Sequence, residues 1–88
     1  MSFKITYSKN FLKHYKKLSN AEKNQFKNKL KIFIENPTHP SLRTKKIKGL
    51  DNTWESSINM DIRIIWFYQY DELIFLIDIG HHDILNNL

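Results

Sequence analysis

The sequence predicts an α+β fold of element order β-α-α-β-β-β, a helical hairpin packed on a small antiparallel sheet. Three observations carry this expectation. An alternating apolar and polar run at residues 3–7 is followed by two stretches of helical periodicity, and three strand-like apolar runs crowd residues 54–79. The size completes the argument: 88 residues, 41% hydrophobic and 14% aromatic with two Gly and two Pro, supply one small core, so a single domain over residues 1–88 is expected.

The first strand is read from Phe3, Ile5 and Tyr7, which share a face at period two. Ser8 can cap a helix in which Phe11, Tyr15 and Leu18 recur at spacings of four and three. Ser19 followed by Glu22 is a capping-box pattern that opens a second helix. Its buried stripe is Phe26, Leu30, Phe33 and Ile34, with Lys23, Lys27, Lys29 and Lys31 mostly outward. The helix should stop near Asn36, because Pro37 disfavours helical backbone in the residue before it. Residues 37–52 read as a basic connector ending in a turn at Gly49, and contain Arg43, Lys45, Lys46 and Lys48. Strands are then expected over 54–58, 62–68 and 73–79 as an antiparallel meander, with a short tail or helical turn after Gly80. Runs this apolar need cover on both faces, so the hairpin should take one side and a loop or partner part of the other.

The net charge of +5 conceals an asymmetry. Residues 1–50 hold thirteen Lys and Arg against Glu22 and Glu35, a net +11, whereas residues 51–88 hold Arg63 against seven acids, a net −6. A local positive field of that size attracts polyanions, nucleic acid foremost, although a lysine-rich solvated surface would read the same way. The absence of cysteine excludes disulfides, thiolate catalysis and cysteine metal sites, and fits a reducing cytoplasm. Residues 1–7 lack the apolar core of a signal peptide and no run approaches a membrane span, so a cytoplasmic protein without membrane association is expected.

Few residues can carry chemistry. His82 follows a strand and a glycine, with Asp83 beside it, and reads either as a general acid or base or as a polar strand end. His81 should point the other way, and with no third ligand at suitable spacing no metal site is expected. Arg63 interrupts an apolar strand, either to serve a functional concavity or to pair with Glu55 or Asp61. Lys45, Lys46 and Lys48 are phosphate clamps or ordinary surface lysines. Trp54, Trp66 and Phe67 are expected in the core. His14 and His39 have no evident partner, and lone acids such as Asp78 are weak signals.

Several of these pieces fall together in one order: residues 39–49 (His-Pro-Ser-Leu-Arg-Thr-Lys-Lys-Ile-Lys-Gly), Trp54-Glu55 ahead of an arginine-headed apolar strand, and Ile79-Gly80-His81-His82-Asp83. Over nearly the whole chain this resembles the RelE/ParE toxin superfamily of bacterial type II toxin–antitoxin modules, and the Gly-x-His ending is similar to its YafQ-like branch. The resemblance implies a RelE-like fold and a ribosome-dependent mRNA endoribonuclease that inhibits translation. It implies no metal and no cofactor, the ribose 2′-hydroxyl attacking the adjacent phosphate. It implies a catalytic set of His82, Arg63 and Lys48, with Arg43, Lys45, Lys46 and Lys48 on RNA phosphates. Partners implied are a cognate acidic antitoxin and mRNA on the ribosome. Family members often carry a second arginine where this chain has Asn59, and a stacking aromatic where it has Asn86. The alternatives are a ParE-like DNA gyrase inhibitor and a non-catalytic basic module that binds RNA or protein.

If His82 moves protons, His82→Ala should relieve growth arrest on induced expression and lower the cleavage rate by about 10²–10⁴-fold. His81→Ala should do much less; equal losses at the two positions would contradict the assignment.

Overall fold

A computed structural model describes residues 2–81 of the chain. Strand β1 (Lys4–Tyr7) leads into α1 (Lys9–Tyr15) and α2 (Asn20–Glu35). A 3₁₀ turn (Pro40–Leu42) and the short strand β2 (Lys45–Lys46) follow, and then β3 (Trp54–Ser57), β4 (Ile62–Tyr70) and β5 (Leu73–His81).

Local chemistry sets the helix ends. The Ser8 hydroxyl accepts from the Phe11 amide at 2.9 Å and donates to the Ile77 carbonyl, so one side chain both starts α1 and fastens it to β5. At Ser19 the box closes in both directions: Glu22 N–H to Ser19 Oγ at 3.1 Å, and Ser19 N–H to Glu22 Oε1 at 2.8 Å. Asn36, in extended conformation, ends α2 just before Pro37.

The sheet runs β1-β5-β4-β3-β2. The meander of the last three strands is antiparallel as expected, but β1 lies parallel to β5, so the sheet is mixed. Alternation at residues 3–7 reports a half-buried strand and carries no information about its partner or direction. The basic connector is a second difference. Lys45 and Lys46 pair with Glu55 and Trp54 as a fifth, edge strand, too short to leave a periodic signal. The third lies at Gly80, which stays in the β5 ladder opposite Arg63, so the strand continues through His81 instead of turning out of the sheet. Gly49 meets its expectation: at φ 84 it takes the third position of the Ile47-to-Leu50 turn, a conformation that glycine adopts without steric cost.

The core fills the space between the helices and one face of the sheet. Phe11, Leu18, Phe26 and Phe33 from the helical side meet Ile62, Ile64, Trp66, Ile74, Leu76 and Ile79 from β4 and β5. Phe33 packs edge-on to Trp66 at 5.0 Å, and Trp54 stacks on Trp66 at 5.9 Å, so both tryptophans are structural. Phe67 faces the other way and pairs with Phe75 at 5.3 Å. No helix among the described residues is long and apolar enough to cross a membrane.

A polar chain crosses this core. Trp66 Nε1 donates to Ser56 Oγ at 2.9 Å, Ser56 and Thr44 hydroxyls lie 2.7 Å apart, and Thr44 Oγ1 donates to the Pro37 carbonyl at 2.5 Å. An indole only donates and a carbonyl only accepts, so every proton in the relay has one direction. Ser56→Ala should strand the buried indole N–H and lower stability by about 1–3 kcal/mol, read as a lower urea midpoint at unchanged slope.

Candidate functional site

At the β3–β4 turn the sheet, α2 and the 3₁₀ turn leave an open cleft of about 240 Å³ lined by Lys29, Ser41, Arg43, Ser57, Asn59 and Arg63, with Ile58 and Met60. Three cations and several neutral donors line it, and none of these residues is acidic. A cleft so furnished accepts an anionic group with charge-assisted hydrogen bonds.

Arg63 is held from two sides. Its Nη1 donates to the Asn59 carbonyl at 2.8 Å and to the Ile62 carbonyl at 3.3 Å. Its Nε lies 3.9 Å from Glu55 Oε1, and the same oxygen is 3.6 Å from Lys45 Nζ. Glu55, one of the two acids expected beside Arg63, thus faces it, and the pairing coexists with a place in the cleft. Glu55 is 5% exposed, so it acts as a low-dielectric anchor for two cations from neighbouring strands.

Asn59 has a clear role of its own where the resemblance implies arginine. Its side-chain oxygen accepts from the Asp61 and Ile62 amides at 2.7 and 2.6 Å, and its amide donates to Gln25 Oε1 on α2 at 2.6 Å. It shapes the turn, pins it to the helix and presents a carbonyl to Arg63.

The structure thus brings together Arg63 and Arg43, with Lys45 joined to them through Glu55. Lys46 pairs opposite Trp54 and so emerges on the other face of β2, and Lys48 stands exposed in the following turn; neither lines the cleft. Arg43 reaches the cleft because it ends the 3₁₀ turn in left-handed conformation, φ 48. His82 and Asn86 lie outside the described residues. His81 sits 3.5 Å from Asp61 and 3.7 Å from Glu22.

Sequence reasoning missed Lys29, whose ammonium donates to the Ser41 carbonyl at 3.3 Å and borders the cleft. Nothing local distinguishes it from the other lysines of α2. His14 and His39 do have partners: His39 caps the 3₁₀ turn through Ser41, and His14 meets Asp78. Two phenols are held above their usual range, Tyr7 by burial and then by nearby Tyr15, and Tyr68 by burial, so both stay neutral at physiological pH. Among the described residues no group of three or more His, Asp or Glu could hold a metal ion.

Two helices on a five-stranded mixed sheet, with the last three strands as a meander, make up a RelE-like fold. Its particular counterparts are solved structures. The RelE–RelB complex from the archaeon Pyrococcus horikoshii OT3 contains a chain 18% identical, with 92% of this chain and 96% of that one covered at TM-score 0.75. The E. coli DinJ–YafQ toxin–antitoxin complex gives 19% identity, 97% and 98% coverage and TM-score 0.77. The intact E. coli RelBE toxin–antitoxin complex gives 20%, 90% and 95%, and 0.72. At these identities the likeness is one of fold. No protein-family model matches the sequence, and no curated protein matches it.

If the cleft is an electrostatic phosphate site, binding of a single-stranded RNA oligonucleotide should weaken with salt at a log–log slope of roughly −0.7 per contact. Reversing Lys29 and Arg43 to Glu should flatten that slope by two contacts' worth in fluorescence anisotropy; an unchanged slope would remove the cleft from the RNA path.

Proposed function

We propose that this protein is the toxin of a type II toxin–antitoxin module and acts as a metal-independent endoribonuclease on ribosome-bound mRNA. The observation that carries the reading is Arg63, rooted in the sheet yet opening into a cleft with Arg43 and Lys29. The fold shared with RelE and YafQ structures supports it.

In the proposed reaction the ribose 2′-oxygen bonds to phosphorus as the bond from phosphorus to the 5′-oxygen breaks. One proton leaves the 2′-hydroxyl and one is taken up by the 5′-oxygen. Negative charge grows on the non-bridging oxygens, and a guanidinium fixed beforehand stabilises that charge without reorganising. Carbonyls on one side and Glu55 on the other already hold Arg63 still. Arg43, Lys29 and the exposed lysines of β2 and its turn would track the flanking phosphates. His82 is the proton-transfer residue that the family resemblance assigns. An acidic antitoxin would neutralise the same cations, and the toxin–antitoxin complexes among structures of this fold support a partner of that kind.

Induced expression followed by mapping of mRNA 5′ ends tests the reading. New ends within translated frames are expected from the wild type, and growth arrest without them would point to a gyrase inhibitor. Arg63→Lys keeps the charge and loses the planar fork, so cleavage should fall by about 10²–10³-fold while the fold persists by circular dichroism.

A further inference from the structure

A second concavity, of about 270 Å³, lies where the end of β1 meets the helical hairpin. Its floor is a set of packed rings: Phe11 sits 5.6 Å from Phe26 and 5.0 Å from Tyr7, and Tyr15 meets Phe26 edge-on at 5.4 Å. Leu12 and Leu30 form its walls and Lys27 its rim. Leu12 is 48% exposed and Tyr7 39%, so this is apolar surface left facing solvent. Lys27 and Lys29 are two residues apart on α2, hence on nearly opposite sides of the helix, and line the groove and the anion cleft respectively. The two sites are therefore on separate flanks of one helix.

The rim is cationic throughout. Lys23 and Lys31 stand one turn to either side of Lys27 on α2, and Lys9 and Lys16 bracket Leu12 on α1. Lys23 Nζ lies over the Tyr15 ring at 5.7 Å. Residues 3–34 hold nine Lys against one acid, a net +8, and that acid, Glu22, is engaged in the capping box. An apolar floor inside a ring of lysines fits a partner that is apolar along one stripe and acidic beside it.

We propose that the α1–α2 groove docks an acidic amphipathic helix of a partner protein, seating leucine-like side chains over Leu12 and Leu30 and pairing carboxylates with Lys9, Lys23, Lys27 and Lys31. The identity of that partner as the antitoxin rests on the toxin–antitoxin reading. A second copy of the chain is disfavoured because two surfaces of net +8 would face each other. Nucleobases are disfavoured because the rings of the floor are packed on one another, and much of the open wall is the aliphatic Leu12. An added strand would gain little from β1, which has four residues and whose border is closed at its start by the Phe3 amide donating to the Ile34 carbonyl of α2 at 2.7 Å. A helix seated here anchors the partner while leaving the cleft to another segment, so holding the toxin and masking its cleft are separable.

The probe is a synthetic helical peptide with leucine at positions i, i+3, i+4 and i+7 and glutamate elsewhere, set against a scrambled peptide of the same composition. Binding to the full chain is read by fluorescence anisotropy and located by amide chemical shifts. The helical peptide should bind more tightly than the scrambled one and shift Tyr7, Leu12, Tyr15 and Leu30, with Arg43 and Arg63 unmoved. Leu12→Glu should weaken binding by about tenfold or more at an unchanged thermal midpoint, and should still arrest growth on induced expression. Lys23→Glu with Lys27→Glu should weaken binding and flatten its salt dependence. Equal binding of the scrambled peptide, or shifts centred on the cleft, would overturn the groove as a helix site. So would a dimer in sedimentation velocity that Leu12→Glu dissolves, or a single-stranded RNA oligonucleotide that displaces the peptide from the groove. A wild-type chain that passes the peptide test but arrests no growth would keep the groove and remove the antitoxin as its partner.

Discussion

One directed relay of hydrogen bonds, from the Trp66 indole through Ser56 and Thr44 to the Pro37 carbonyl, decides where the basic segment can lie. It joins the most buried strand to the chain leaving α2, and both ends are groups that act in one sense only, as donor or as acceptor. Thr44 is thereby fixed against β3, and its two neighbours in sequence, Arg43 and Lys45, are aimed without needing strong contacts of their own. The cleft inherits its shape from a buried polar network, which explains how long cationic side chains at the surface can be presented by a small domain.

The charges segregated along the sequence are interleaved in space. Lys45, from the basic half, meets Glu55 from the acidic half, and His14 meets Asp78. These two acids of the sheet steady a cation and an imidazole and leave the outer positive surface in place. Arg63, the single cation of the acidic half, joins this scheme through the same Glu55 oxygen that faces Lys45.

Features governed by neighbours in sequence are legible from the residues themselves. Ser8, Ser19 with Glu22, Asn36 before Pro37 and Gly49 all do what their local chemistry dictates. The meander is legible because its turns are short. What escapes is set by distance in sequence: the parallel partner of β1, the two-residue strand β2, and the encounters of His14 with Asp78 and of Lys29 with Ser41. In the site, Arg63 and Arg43 can be named from residue type and placement, because a cation in an apolar strand or a cationic cluster is conspicuous. Lys29 cannot, being one lysine among many on its helix. Asn59 stands out only as a departure, and its work in the turn depends on Gln25 from another element.

The parallel pairing of β1 with β5 also has a bearing on how the molecule comes into being. Ser8 and Ile77, which hydrogen-bond to each other, are 69 residues apart, so the edge strand made early on the ribosome must wait for the last strand to emerge before it can dock. Closing so long a loop costs entropy before any contact repays it, which slows assembly relative to a chain built from local pairs. The β5 register that sets Asp78 and Gly80 beside Ile65 and Arg63 is completed in the same late stage. A nascent chain therefore carries its basic hairpin well before it carries an assembled sheet face, and its positive charge is on display before Arg63 is set in a completed sheet at the edge of the cleft.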